Sequence, residues 1–167
     1  MINRNSVRFI VILWSCIALI ACQNTSIDAY QPKTLDERGA IDVIKQYRNS
    51  RNAFDLDQYL ACLHPDGKFS FMGDHILSKP DLEKKLPRFW ERLHSEDAAI
   101  FPLMRESITG DFFDNWRFDD IGITINDSTA EVTVICNSSW VCKQLHIISM
   151  VKEDGDWRIF ETSWRHF

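Results

Sequence analysis

Basic residues are in short supply in this 167-residue chain: 19 Lys and Arg stand against 24 Asp and Glu, a formal net charge of −5 at pH 7. No basic stripe interleaves with the aromatic residues, so nucleic acid is not an expected partner. Long apolar runs are also missing. The longest, Phe9 to Cys22, covers 14 residues, short of the roughly 20 that a membrane-spanning helix needs. The five histidines are scattered and no Cys/His spacing matches a zinc site, so neither a metal nor a cofactor is expected. No glycine-rich phosphate loop, Ser/His/Asp order or paired-carboxylate pattern stands out, and no residue is assigned a catalytic role. Repeats and low-complexity tracts are absent as well.

What is present begins at the N-terminus. "MINRNSVR" carries Arg4 and Arg8 with no acid, and "FIVILWSCIALIA" follows without a charge. That order of charged and apolar regions is the pattern of a secretory signal. "LIAC", residues 19–22, resembles the bacterial lipobox, in which a small residue precedes a cysteine that receives a diacylglycerol. The resemblance implies cleavage after Ala21 and an acylated Cys22 as the mature N-terminus, attached to the membrane through lipid. The alternative is an ordinary signal cut near Ala21, with Cys22 incidental. If the host has an outer membrane, Gln23 rather than an acid after the cysteine resembles an outer-membrane sorting signal facing the periplasm. Residues 1–21 are therefore expected to be a signal peptide, residues 22–33 a flexible tether ("CQNTSIDAYQPK") and residues 34–167 one domain. Loss of Arg4 and Arg8 leaves 17 basic against 24 acidic residues, a balance of −7. Lipid, not charge, would hold such a domain at a membrane.

Of the five cysteines, Cys62, Cys136 and Cys142 remain once the signal is removed and Cys22 is acylated. An odd number in an exported protein leaves at least one free or intermolecular thiol. Cys136 and Cys142 bracket "NSSWV" between two β-rich runs, where they either bridge across a hairpin or stay as two buried thiols.

The domain reads as three helices and then a run of strands. Thr34 and Glu37 form a capping box ahead of Ala40, Val43, Ile44 and Tyr47, which recur at helical spacing. Asp55 and Gln58 cap a second helix with Leu56, Tyr59, Leu60 and Leu63 on one face, ended by Pro65-Asp66-Gly67. His64 and Asp66 read there as a solvated histidine and a turn acid. "KFSFM" is a short strand. Ser78 and Asp81 cap a third helix, Leu82 to about Leu93, with Pro87 inside it. Residues 94–115 read as either a short helix or a long loop. "WRFDDIGITI", "TAEVTVICN", "KQLHIISMVK" and "WRIFETSW" then alternate with period two and are separated by turn residues. Together these imply an α+β domain, its helices covering one face of an antiparallel sheet.

"VIKQYRN", "FDLDQYLACLHPDGKFSF", "NDSTAEVTV" and "MVKEDGDWRIFETSW", in that order, resemble the nuclear-transport-factor-2-like superfamily, which includes polyketide cyclases (SnoaL-like), limonene epoxide hydrolases and ketosteroid isomerases. The resemblance implies a cone: a curved antiparallel sheet wrapped around about three N-terminal helices, enclosing an apolar cavity, with the outer sheet face pairing two subunits. Tyr47 matches the isomerase tyrosine that donates to a developing oxyanion. Phe71 stands at the position of the isomerase base, and a phenyl ring takes no proton. The second oxyanion donor falls on Ile147, or on His146 after a one-residue slip, which would invert the face presented. Tyr47, Phe71, Trp90, Trp116 and His146 are the expected ligand-binding residues, with an apolar or amphipathic small molecule as the partner. The alternatives are that these rings only fill the core, that an enzyme of the superfamily uses other polar groups, or that the outer sheet serves as an assembly surface.

Overall fold

In the computed structural model the chain is described over residues 26–71, 75–94, 116–137 and 144–166. Residues 1–25, including Cys22, and Cys142 lie outside the described residues, as does the segment 95–115.

Helix α1 spans Leu35–Ala53, and Thr34 caps it by accepting from the Glu37 N–H. The Glu37 carboxylate reaches one residue further back than a standard capping box and accepts from the Lys33 N–H at 2.6 Å. α1 ends in a Schellman motif: the Phe54 N–H bonds the Arg51 carbonyl and the Asp55 N–H bonds that of Ser50. Glycine usually fills such a left-handed position, but here Phe54 does so at φ 56°, held in place by its edge-on packing against Trp90 at 5.5 Å. Asp55 then caps α2, Leu56–Ala61, by accepting from the Gln58 N–H.

The chain turns to strand earlier than the sequence suggested. β1 covers Leu63–Phe71, so Pro65-Asp66-Gly67 are not a helix stop. Between Leu63 and Lys68 the register shifts, and the proline and turn-forming residues fall in that irregularity, where a strand tolerates them. Gly67 is required there, because a Cβ would stand 2.7 Å from the Phe160 carbonyl oxygen. His64 is buried, not solvated: its Nε2 lies 3.1 Å from a Glu153 carboxylate oxygen, and its Nδ1 accepts from the Asp66 N–H. A four-residue strand, β2 (His75–Ser78), was not anticipated. α3 follows at once, Lys79–His94, beginning earlier than expected and continuing through Pro87. Ser78 Oγ accepts from the Asp81 N–H at its start.

The remaining strands are β3 (Arg117–Asn126), β4 (Thr129–Asn137), β5 (Gln144–Glu153) and β6 (Asp156–His166). One six-stranded sheet results, in the order β2-β1-β6-β5-β4-β3. It is antiparallel except for the β1–β6 pair, which is parallel. The β5–β6 turn has positive φ at both Asp154 and Gly155, the I′ type that suits the strand twist. The class is α+β, and α1 lies against the inner face, where Ala40, Ile44 and Tyr47 meet Val132, Val134, Ile148 and Ile159 in one buried cluster.

Residues 26–33 do not form a free tether. Ile27 is fully buried, and its N–H donates to the Phe118 carbonyl at 2.8 Å. Asp28 accepts from both Arg48 Nη atoms at 2.8 and 2.9 Å. Among the described residues no helix is long and apolar enough to cross a membrane.

Candidate functional site

One end of the inner sheet face gathers aromatic and polar side chains. Tyr47, on the last turns of α1, stacks on Tyr59 of α2 with centroids 4.9 Å apart, and the two hydroxyls are 3.2 Å apart. One O–H serves that bond; the other has no acceptor among the described residues. Burial raises the pKa of both phenols, so both keep their protons. Trp90 of α3 packs edge-on to Tyr59 at 5.7 Å.

Trp116, just before β3, is fixed by the end of α1. Its N–H donates to the Asn52 side-chain oxygen at 3.3 Å, and its carbonyl accepts from the same amide at 3.4 Å. The Arg51 guanidinium lies over the indole, 4.3 Å from the ring centroid, a geometry that favours cation–π attraction. His146 of β5 meets the indole edge-on at 5.3 Å and Phe118 at 6.0 Å. Burial, and secondarily the Arg51 charge, lower its pKa to about 4. The imidazole is therefore neutral near pH 7, able to donate through one nitrogen and accept through the other. Its Nε2 lies 3.3 Å from the Gln144 side-chain oxygen.

Four of the five expected ligand-binding residues, Tyr47, Trp90, Trp116 and His146, thus join one chain of contacting rings. Phe71 does not join it through any ring contact between described residues; it is half-buried at the end of β1 and packs on Phe89 at 5.2 Å. His146 is buried on the inner face with Ile148 and Met150, whereas Ile147 alternates to the other face. Two members were missed. Arg51 follows Tyr47 by four residues, one helical turn, and that spacing was a usable signal. Tyr59 had been read only as part of an apolar helix face.

The arrangement offers phenolic donors, a neutral imidazole and a guanidinium beside flat apolar rings. Among the described residues, no carboxylate contributes to the pKa displacements of Tyr47, Tyr59 or His146, and none form a group able to hold a metal ion. Cys136 is buried and unbridged to any other described cysteine, and burial pushes its thiol pKa up to about 12; its expected bridge to Cys142 lies outside the described residues. A separate surface groove of about 500 Å³ runs between the irregular part of β1 and β2, lined by Pro65, Lys68, Ile76 and Pro80 among others. It contains none of these aromatic residues.

No family model matches the sequence, and no curated protein does. Solved structures do match in fold. A nuclear-transport-factor-2-like protein from Cytophaga hutchinsonii aligns at TM-score 0.55 and 14% identity, over 76% of this chain and 94% of that one. A candidate ketosteroid isomerase from Shewanella frigidimarina aligns at 0.55 and 15%, over 76% and 94%. A candidate scytalone dehydratase from Novosphingobium aromaticivorans aligns at 0.53 and 14%, over 80% and 85%. The class is thus an α+β domain with helices against a curved sheet. The fold is nuclear-transport-factor-2-like.

Proposed function

We propose that the protein is a lipid-anchored component of the bacterial cell envelope whose domain binds a small amphipathic molecule at the aromatic end of the sheet. One observation carries the binding reading: Tyr47, Tyr59, Arg51 and His146 are buried together at one end of a mainly apolar core, with the partly buried Trp116 packed against them. Burying polar side chains costs stability unless they are paired, so a phenol proton with no acceptor among the described residues suits an oxygen on a ligand. The rings would take the ligand's apolar body and the donors its polar end. The anchoring part rests on "LIAC" and the charged and apolar regions before it.

Tryptophan fluorescence tests this directly. Titration with long-chain or polycyclic compounds bearing one carbonyl or hydroxyl should change the emission saturably, and Trp116→Ala should weaken the response. No response from any such compound would overturn the reading.

An enzymatic reading is favoured by a specific feature: two phenols and an imidazole with displaced pKa values meet at one place, a common property of reactive sites. Proton abstraction of the isomerase kind has little support, since Phe71 stands at the base position and an imidazole with a pKa of about 4 is a weak base. Turnover of a β,γ-unsaturated ketone that is lost in Tyr47→Phe would establish the enzyme instead. A paired-subunit form through the outer sheet face is a further proposal; there Ile135 of β4 faces Leu145 of β5.

A further inference from the structure

We propose that the aromatic end of the domain faces the bilayer, held there because the chain between the lipidated Cys22 and the docked Ile27 is too short to let it turn away. The inference rests on the lipid-anchored reading above and adds an interaction surface, with the lipid bilayer as its partner.

The path of the N-terminal segment carries the argument. Ile27 is fully buried and bonded to Phe118, near the start of β3. Asp28 pairs with Arg48, in the second half of α1. Five residues after Asp28, the Lys33 N–H bonds Glu37, in the first turn of the same helix. Residues 27–33 therefore run alongside α1 in the opposite direction, from its C-terminal part to its start. Ile27 itself is docked near the C-terminal end of α1. That is the end where Arg51, Asn52 and Trp116 meet.

Length then fixes orientation. Cys22 and Ile27 are five residues apart, and an extended chain covers about 3.5 Å per residue, so the leash spans at most about 18 Å. The sheet is longer than that: the ten residues of β3 extend about 30 Å. A leash shorter than the domain cannot place the far end on the membrane while Ile27 stays docked. The far end is marked by two adjoining turns, with Asp127 in one and Glu153, Asp154 and Asp156 in the other, joined by the Lys152 N–H to Ser128 carbonyl bond at 2.8 Å.

Energy transfer in vesicles tests the orientation. The full acylated chain is placed in phospholipid vesicles that contain headgroup-labelled acceptor lipid. A donor dye is attached at Arg117→Cys, beside Trp116, or at Asp127→Cys, in the far turn, each combined with Cys142→Ser. Transfer from the Arg117 site should exceed that from the Asp127 site several-fold. Insertion of about sixty Gly/Ser residues between Gln23 and Asn24 should bring the two sites close to equality, because the mean span of the flexible leash, about 40–50 Å, then exceeds the size of the domain. Equal transfer from both sites at native length would overturn the orientation, and a difference that survives the insertion would overturn the leash as its cause. The mass of the N-terminal peptide from the same preparation reports acylation separately. An unacylated terminus overturns the anchored reading itself, whereas an acylated chain with equal transfer overturns the orientation alone.

Discussion

The two ends of the inner sheet face are built from the same elements but from different residues. Along α1 the buried positions go from Ala40, Ile41 and Ile44 to Tyr47, Ser50 and Arg51. Along β5 they go from Met150 and Ile148 to His146, and along β4 from Ala130, Val132 and Val134 to Cys136. Polarity rises toward the same end in each element. Apolar packing stabilises the first end by about 25 cal/mol per Å² of surface buried. At the second end each polar group forgoes part of that gain and needs partners. Deviation from plain core packing that is concentrated in one place, on several elements at once, is the pattern of a site. The apolar end is not wholly apolar: His64 is buried there with its Nε2 3.1 Å from a Glu153 carboxylate oxygen, and the Trp157 indole N–H is buried without a hydrogen-bond partner among the described residues.

If the first end is scaffold, truncation there should reduce stability and leave binding intact in the molecules that remain folded. Ile159 is fully buried, and Ile159→Ala should cost about 3–4 kcal/mol, read as a lower midpoint in urea with an unchanged ligand affinity. A comparable loss of affinity in the folded fraction would blur the division between the ends.

The pH dependence of stability should arise at the second end. The pKa of His146 falls from 6.5 to about 4 in the fold, so the unfolded chain binds its proton more readily. The stability this residue contributes is therefore complete above about pH 6.5 and declines as the pH falls toward 4, by about 3 kcal/mol in total. Urea midpoints measured across that window should show the decline in the native chain. They should show much less of it in His146→Gln.

Asn52→Ala gives the smallest loss of stability and the clearest functional one. It removes two bonds to the Trp116 backbone, worth about 1–2 kcal/mol together. The fluorescence response to ligand should fall well beyond what that loss implies, because the indole is no longer positioned. A response that survives intact would show that Asn52 only supports the fold.

Much of the scaffold was legible because its signals are local. Thr34, Asp55 and Ser78 cap helices within three residues of their partners, and the four long strands carry period-two patterns. The boundary of α2 was not legible, since Leu60 and Leu63 fit a helix face and a helix-to-strand transition equally well. His64 was misread because its partner, Glu153, is 89 residues away. The docking of Ile27 was missed for the same reason, its acceptor being Phe118. In the aromatic cluster, Tyr47 and Trp116 were picked out through the family resemblance. His146 and Ile147 were separable only through the register of β5 on β4 and β6, which place His146 opposite Val134 and Trp164.

The central claim is that the polar, aromatic end binds and the apolar end only supports. Indole N–H signals in an ¹⁵N-labelled soluble domain (residues 23–167) report both ends at once, since Trp116 lies in one and Trp157 in the other. Titration with a long-chain ketone should shift the Trp116 signal saturably and leave that of Trp157 in place, and Tyr47→Phe should weaken the shift. A Trp116 signal that stays fixed, or a shift confined to Trp157, would contradict the account.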